Sequence, residues 1–399
     1  MQTRFLSHAV MLGLLSAIGL FAIDMYLPAL PTISVQFHAD SHQVQASLMS
    51  FFIAMAVSQL FYGPLSDIFG RKRPLYFGLG LYVAGAIGCA LSPNIESLIA
   101  FRFLQGMGAC AGVVISRAIV RDLHTGVAAA QLMSRLMLVF SVSPILAPLA
   151  GSIVTVFGDW RLIFGVMVAA AGIGLVIAVF FLEEPRPAER RSESSLASAI
   201  EAYRTLLRDP YYLGLVMIAS FGMSSYMIYV ANSSFVLIEH YGLSPSFYSA
   251  VFSINAVAFI GMSQMNGWLS RKYGLRRVIR SAIGGFAAVM TMLFAVTALG
   301  TDRLEVMSLF LFAGYGFLGL VIPTAAVLAL EAHGRIAGTA SALMGTLQFV
   351  TSAIVIGVGG LFFDGTSLPM IGVIAICSLV VFSLSLLVLR ADRVAAAAE

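Results

Sequence analysis

Charge is scarce in this chain: of its 399 residues only 11% are Asp, Glu, Lys or Arg, while 59% are hydrophobic and the mean hydropathy is +0.94. Soluble domains carry about 25% charged residues, so a water-soluble globule is excluded and an integral membrane protein is expected. Cysteine is nearly missing as well. Cys89, Cys110 and Cys377 each lie inside an apolar run and form no C-x-x-C pair, which points to core thiols rather than a disulfide framework or a thiolate metal site. No stretch fits the phosphate-binding pattern G-x-x-x-x-G-K-[ST], so nothing suggests ATP hydrolysis. The six histidines, at 8, 38, 42, 124, 240 and 333, are dispersed, and only His38 and His42 share helical spacing, with Asp40 the one acid beside them. No metal, no other cofactor, no enzymatic chemistry and no nucleic-acid partner is expected.

Long apolar runs dominate what is there. They recur twelve times, over 6–31, 44–67, 74–92, 97–119, 129–157, 160–182, 210–236, 246–269, 278–299, 305–330, 336–362 and 367–389. Each is long enough to cross a bilayer, for which about 20 residues suffice. The 37 glycines and 13 prolines suit membrane helices that pack closely and kink. The first run has one basic residue ahead of it (Arg4) and no A-x-A site after it, so it reads as a span rather than a cleaved signal. One connection is long. Residues 183–209 hold 11 charged positions, and Leu196, Ile200, Tyr203 and Leu207 within them fall on one helical face. That pattern fits a helix on the membrane surface joining two bundles; a plain solvated linker is the other reading. All lysines and arginines except Arg102, Arg161 and Arg303 fall in loops and helix ends of one side if the N-terminus is inside. The positive-inside rule then puts both termini and the central connection in the cytoplasm.

One stretch organises the rest: Asp24-Met25-Tyr26-Leu27-Pro28-Ala29-Leu30-Pro31, at the far end of the first apolar run. An ionisable group in a membrane helix costs about 2.5–3.5 kcal/mol at the centre on insertion scales and marks a functional position by default. The competing reading is that Asp24 ends the helix at the outer interface, but apolar residues continue beyond it. Arg102 is the one cation placed within a helix, about five residues from the outer end of the fourth run. Similar depth would let Asp24 and Arg102 share one cavity, each offsetting the other's desolvation.

The chain also repeats itself. Gly63-Pro64-Leu65-Ser66-Asp67-Ile68-Phe69-Gly70-Arg71-Lys72-Arg73 follows the second run and Gly267-Trp268-Leu269-Ser270-Arg271-Lys272-Tyr273-Gly274-Leu275-Arg276-Arg277 the eighth. At a constant offset of 204, Gly63, Leu65, Ser66, Gly70 and Arg73 recur as Gly267, Leu269, Ser270, Gly274 and Arg277. Two parallel repeats of six helices are expected: a first bundle over 1–182, a linker over 183–209 and a second bundle over 210–399. The same offset maps Asp24 to Ile228 and Arg102 to Val306. Proton-handling charge is therefore expected in the first half alone.

On these residues the sequence resembles the major facilitator superfamily over its whole length, and within it the Bcr/CflA type of bacterial drug:proton antiporter. The resemblance is carried by the segment Asp24–Pro31, by the loop Gly63–Arg73, by Arg102-Phe103-Leu104-Gln105-Gly106-Met107-Gly108 in the fourth run, and by Ser143-Pro144-Ile145-Leu146-Ala147-Pro148-Leu149-Ala150-Gly151 in the fifth. The last is the loosest match, with Ala150 where a glycine is usual. The resemblance implies an all-α membrane fold of 12 helices in two six-helix bundles rocking around a midplane cavity. It further implies a monomer in the bacterial inner membrane that exports lipophilic antibiotics, bicyclomycin- or phenicol-like, driven by the proton gradient alone. Asp24 and Arg102 become the proton-coupling residues. Gly63, Asp67, Gly70, Arg71 and Arg73 form a conformational latch, with Arg121 as partner for Asp67. The cavity would be lined by Tyr26, Gln105, Pro144 and Pro148 from the first half and Tyr226, Tyr229, Asn232, Asn255 and Gln348 from the second. A metabolite transporter on the same fold and a non-transporting membrane receptor are the alternatives.

Overall fold

The structure, a computed structural model, describes residues 2–123, 126–185, 196–331 and 333–395, and among them there is no strand. The described residues form fourteen α-helices: α1 Gln2–Asp24, α2 Leu30–Phe37, α3 Ser41–Phe69, α4 Lys72–Ala90, α5 Ile95–Leu123, α6 Gly126–Phe157, α7 Arg161–Phe181, α8 Leu196–Arg208, α9 Pro210–Ser234, α10 Pro245–Tyr273, α11 Leu275–Ala298, α12 Leu304–Glu331, α13 Ala337–Gly360 and α14 Ser367–Ala395. Ten helical stretches among the described residues are long and apolar enough to cross a membrane. The remaining two expected spans correspond to α4, of 19 residues and opened by Lys72 and Arg73, and to the 32-residue α6. The three cysteines are buried and unpaired.

The ends of the expected runs agree with the helices to within a few residues, with one correction. The first run is not a single helix. It stops at Asp24, passes through a turn and a 3-10 segment at Leu27–Ala29, and resumes as α2. Proline has no amide hydrogen, so Pro28 cannot donate to the Asp24 carbonyl, nor Pro31 to that of Leu27. The break is written into the two prolines.

The chain divides into two compact units, residues 1–201 and 202–399. In the first, α5 packs on α1, α3 and α4, while α1 also meets α6 and α7, and α4 meets α7. In the second, α12 packs on α9, α10 and α11, while α9 also meets α13 and α14, and α11 meets α14. Every pairing of the first unit has its counterpart in the second. Small residues make the close approaches: a Cβ on Gly112 of α5 would stand 2.3 Å from the Leu15 carbonyl oxygen of α1. Helix α8 covers the expected amphipathic stretch, with Ile200 and Leu207 exposed and Leu206 buried.

A clasp closes one end of the second unit. Asp302 accepts from Tyr241 and from Ser367 Oγ (2.7 Å), and its other oxygen lies 2.6 Å from His240 Nε2. Burial alone would raise this carboxyl, but the hydrogen bonds from Tyr241, Ser367 and His240 outweigh it and hold Asp302 below its ordinary value.

Two outcomes follow. Gly112→Ala should destabilise the detergent-solubilised protein by about 1–3 kcal/mol through overpacking. Gly80→Ala, on an exposed helical face with nothing near its Cβ, should stay within about 1 kcal/mol of the parent. Thermal melts of both variants check the contrast. For Asp302, a depressed carboxyl contributes stability above the ordinary carboxylate range and loses it as pH falls through the depressed value. Asp302→Asn should therefore lower the melting temperature at pH 7, by an amount that shrinks as pH falls through and below the ordinary carboxylate range, checked by melts across a pH series.

Candidate functional site

The first polar site is built on the break in the first span. The last carbonyls of a helix lack intrahelical donors, and the Ala22 carbonyl is filled from another helix: Arg102 Nη1 of α5 donates to it at 3.0 Å. The same nitrogen donates to Gln105 Oε1 at 2.8 Å, one turn further along α5. The guanidinium carbon sits 4.7 Å from the centre of the Tyr26 ring and 4.3 Å from that of Phe51. Each such contact contributes about 0.5–2 kcal/mol, more where water is excluded. Tyr26 is held in turn by a hydroxyl contact to Ser47 (2.9 Å) and by the Phe164 ring. Tyr82 donates to the Ile18 carbonyl, and Gln105 Nε2 reaches the Met167 sulfur.

The expected ion pair between Asp24 and Arg102 is not formed in this arrangement. Arg102 is fully buried, and its Nε and Nη2 have no hydrogen-bond partner among the described residues. Asp24 is 7% exposed, and no cation lies within ion-pair distance of it among the described residues. The physical reason lies in the break. The vacated main-chain acceptor at Ala22 and two aromatic faces satisfy the guanidinium two residues short of the carboxyl. A buried cation is thus solvated by neutral groups, and an acid stands close by without a partner.

Two residues of the expected cavity, Pro144 and Pro148, lie on α6, a helix that packs on α1 and on the 3-10 segment. Pro148 is buried and Pro144 half-buried, inside a helix that continues through both. A Cβ on Gly151 would meet the Met25 carbonyl oxygen at 2.1 Å, so α6 lies directly against the residue after Asp24.

The second site centres on Arg71, at the connection from α3 to α4. Its side chain is 4% exposed and meets Asp67 Oδ1 at 2.7 Å and Asp122 Oδ2 at 2.6 Å. Nη1 also donates to Ser66 Oγ at 2.6 Å. The amides of Arg71 and Lys72 donate to the Glu184 carboxylate at 2.8 and 3.1 Å, which caps the start of α4. Arg71 and Asp67 of the expected latch are therefore joined. Gly70 turns the chain at φ +85°, where a side chain would be strained. Gly63 lies on α3, with nothing near its Cβ, and Arg73 lies in the first turn of α4. The side chain of Arg121, the expected partner of Asp67, lies outside the described residues.

The second-unit residues divide differently. Tyr226 and Tyr229 join Phe252, Phe259 and Tyr315 in a buried aromatic cluster, with Tyr229 stacked on Phe252 at 5.4 Å and Tyr226 on Phe259 at 5.8 Å. Asn255 Nδ2 donates to the Tyr229 hydroxyl at 2.9 Å, and its Oδ1 is buried without a partner. Asn232 is buried and donates to the Ile228 carbonyl. Gln348, on α13, is half-buried.

Several members escaped the sequence reading. Phe51, Tyr82 and Met167 are apolar or aromatic residues of ordinary spans, and no local pattern marks them as neighbours of Arg102. Glu184 follows α7 in a run of charges, and only the fold carries it to α4. Asp122, adjacent to Arg121, was the one visible hint.

The sequence profile of the Major Facilitator Superfamily matches residues 12–357. An uncharacterised transporter of that type from Bacillus subtilis is 35% identical over 98% of this chain and 96% of its own length. A bicyclomycin resistance protein homologue of Haemophilus influenzae is 30% identical over 92% of both chains. A multidrug resistance protein of Shigella dysenteriae, MdtL, is 27% identical over 100% of this chain and 99% of its own. Among solved structures, a D-xylose–proton symporter superposes with a TM-score of 0.73 over 95% of this chain and 97% of its own, at 15% identity. The human organic anion transporter MFSD10 gives 0.68 over 95% and 99%, at 18% identity. At such identities the structural likeness speaks for the fold alone.

The Arg71 site yields a ranking. Removing the buried hub in Arg71→Ala breaks its pairs with Asp67 and Asp122 and should cost about 3–5 kcal/mol, as for other broken buried pairs. Asp67→Asn, at a 40% exposed side chain, should cost about 1 kcal/mol or less. Melting temperatures of the two purified variants test the order.

Proposed function

Because the chain belongs to the major facilitator superfamily, we propose that it exports lipophilic drugs across a bacterial inner membrane in exchange for protons. It is a membrane transporter and not an enzyme. Two of its relatives carry bicyclomycin or multidrug resistance in their names, which supports drug efflux as the direction and neutral, lipophilic antibiotics as the class. The protein works as a monomer with both termini in the cytoplasm, and its substrate is moved by alternating access.

The observation that carries proton coupling is the separation of Asp24 from Arg102 at the broken helix. Burying an ionised carboxylate without a counter-charge is costly, several kcal/mol even after relaxation. The arrangement therefore suits a neutral, protonated Asp24, with Arg102 parked on the Ala22 carbonyl, Gln105 and two rings. Loss of the proton creates an anion two residues from the guanidinium's main-chain partner. Arg102 then exchanges a neutral acceptor for the carboxylate, using donors that now have no partner. Movement of that side chain pulls on both ends of the break in the first span, linking protonation to helix geometry. The Arg71 cluster acts on the balance between conformational states and not on the substrate.

Asp24→Asn should fix the neutral form. Drug-driven proton movement in everted vesicles should fall at least about tenfold, the loss expected when a group acting in proton transfer is removed, with insertion into the membrane unchanged. Arg102→Ala should show a similar loss, and the double variant little more than either single one, because residues acting as a unit are non-additive. Arg102→Lys should recover part of the activity, since the ammonium keeps the charge but cannot serve two acceptors and two rings in a fixed plane. Losses that simply add would mean that the two residues are uncoupled and would overturn the exchange.

A further inference from the structure

The second repeat carries a cavity that the transport reading does not use. It lies within the second unit, at the connection between α10 and α11, with a volume of about 960 Å³. Among the described residues Arg276, Arg277 and Arg280 line it, along with Tyr211, Tyr273 and one acid, Glu331. Positive charge is in excess among these. All three arginines sit in the first two turns of α11, where the helix dipole already presents positive charge and cations are disfavoured. No acidic residue stands in that first turn, and the capping position is Gly274, which has no side chain to offer.

The first repeat shows what such a place takes. The equivalent helix start, at α4, receives the Glu184 carboxylate on its first two amides, and Asp67 and Asp122 surround the arginine beside it. In the second repeat Arg271 replaces the aspartate. Arg277 has no ion pair or hydrogen bond among the described residues, while Arg280 is anchored to the Leu389 carbonyl of α14. The second repeat, with arginine in place of that aspartate, opens onto a basic cavity.

A second, apolar groove of about 280 Å³ adjoins it and shares Tyr273, Arg277 and Ser281 with it. Its other walls include Leu269, Val278, Phe317 and Leu320. A basic cavity continuous with an apolar groove matches a molecule with an anionic head and a hydrocarbon tail. We propose that this is a binding site for an anionic phospholipid, its phosphate on Arg276 and Arg277 at the start of α11 and an acyl chain along Phe317 and Leu320. Basic recesses between membrane helices recognise such headgroups by charge. This inference does not depend on drug efflux or on Asp24.

The test uses the full chain in neutral detergent, with native mass spectrometry and thermal melts on titration with defined additives. Dioleoyl phosphatidylglycerol should bind and protect at about tenfold lower concentration than dioleoyl phosphatidylcholine. The R276Q/R277Q variant should lose that preference while melting like the parent in phosphatidylcholine, and Arg303→Gln, at another loop, should keep it. If the double variant fails to fold, Arg277→Gln alone should halve the preference or more. Dihexanoyl phosphatidylglycerol should bind more weakly than the dioleoyl form if the groove holds a chain. Equal protection by inorganic phosphate would show a free-anion site and overturn the lipid assignment. No preference for phosphatidylglycerol in the parent, or a preference unchanged in the variants, would overturn the site itself.

Discussion

A missing amide hydrogen sets the character of the first unit. Pro28 helps to end the first helix at Asp24, so its last carbonyls lack intrahelical donors, and in a membrane no water stands by to replace them. The protein answers with a side chain that has donors to spare. Arg102 crosses from α5 to the Ala22 carbonyl and is itself solvated by Gln105, Tyr26 and Phe51. The contacts of α5 with α1, α3 and α4 bring these elements together, and the close approach at Gly112 permits it. Break, guanidinium and unpaired carboxyl are one structure, and none of the three is intelligible without the others.

The two units share their packing but not their chemistry. Each helix contact in the first has a counterpart in the second, yet the position equivalent to Asp24 is Ile228, within a helix that runs on to Ser234 before a π-helical turn. Where the first unit holds a charge among aromatics, the second holds a cluster of aromatics with Asn255 tied to Tyr229. At the α3–α4 connection the first unit gathers three carboxylates around Arg71, and at the matching α10–α11 connection the second gathers arginines around a cavity. The two halves share what packing requires. Electrostatics was free to diverge, because helix contacts depend on small residues and shape rather than on charge.

That division also explains what could be read from the sequence. Spans were legible because bilayer crossing demands long apolar runs, and the membrane fold followed from them. The loop repeat and the isolated charges Asp24 and Arg102 stood out against so apolar a background. Their geometry did not: the pairing expected from similar depth gave way to a carbonyl acceptor that exists only because the helix breaks. Pro28 and Pro31 were in plain view, but a continuous apolar run masked the interruption. Glu184 was illegible for another reason. Its role depends on the end of α7 returning to the start of α4, a tertiary contact between residues far apart in sequence, and a charged linker looks alike whether or not one of its acids caps a helix. The aromatic cluster of the second unit was visible as residues, but not as a set of rings satisfied by one another.

Two buried arginines in one unit show how burial can serve opposite ends. Arg71 is saturated, with carboxylates on two sides and a hydroxyl on a third. Taking it out of that setting would strand anions of fixed position, so the cluster resists change and suits a lock. Arg102 has neutral partners, two donors unused, and an acid within a few residues of its main-chain acceptor. Leaving a carbonyl and a ring forfeits far less than breaking a buried ion pair, and what it would gain on meeting an ionised Asp24 is large in the same low-dielectric setting. A group held by weak, replaceable contacts beside a stronger alternative is one whose position a single proton can decide. Under the proposed exchange, under-satisfaction at Arg102 is what fits it to switch, as saturation fits Arg71 to hold.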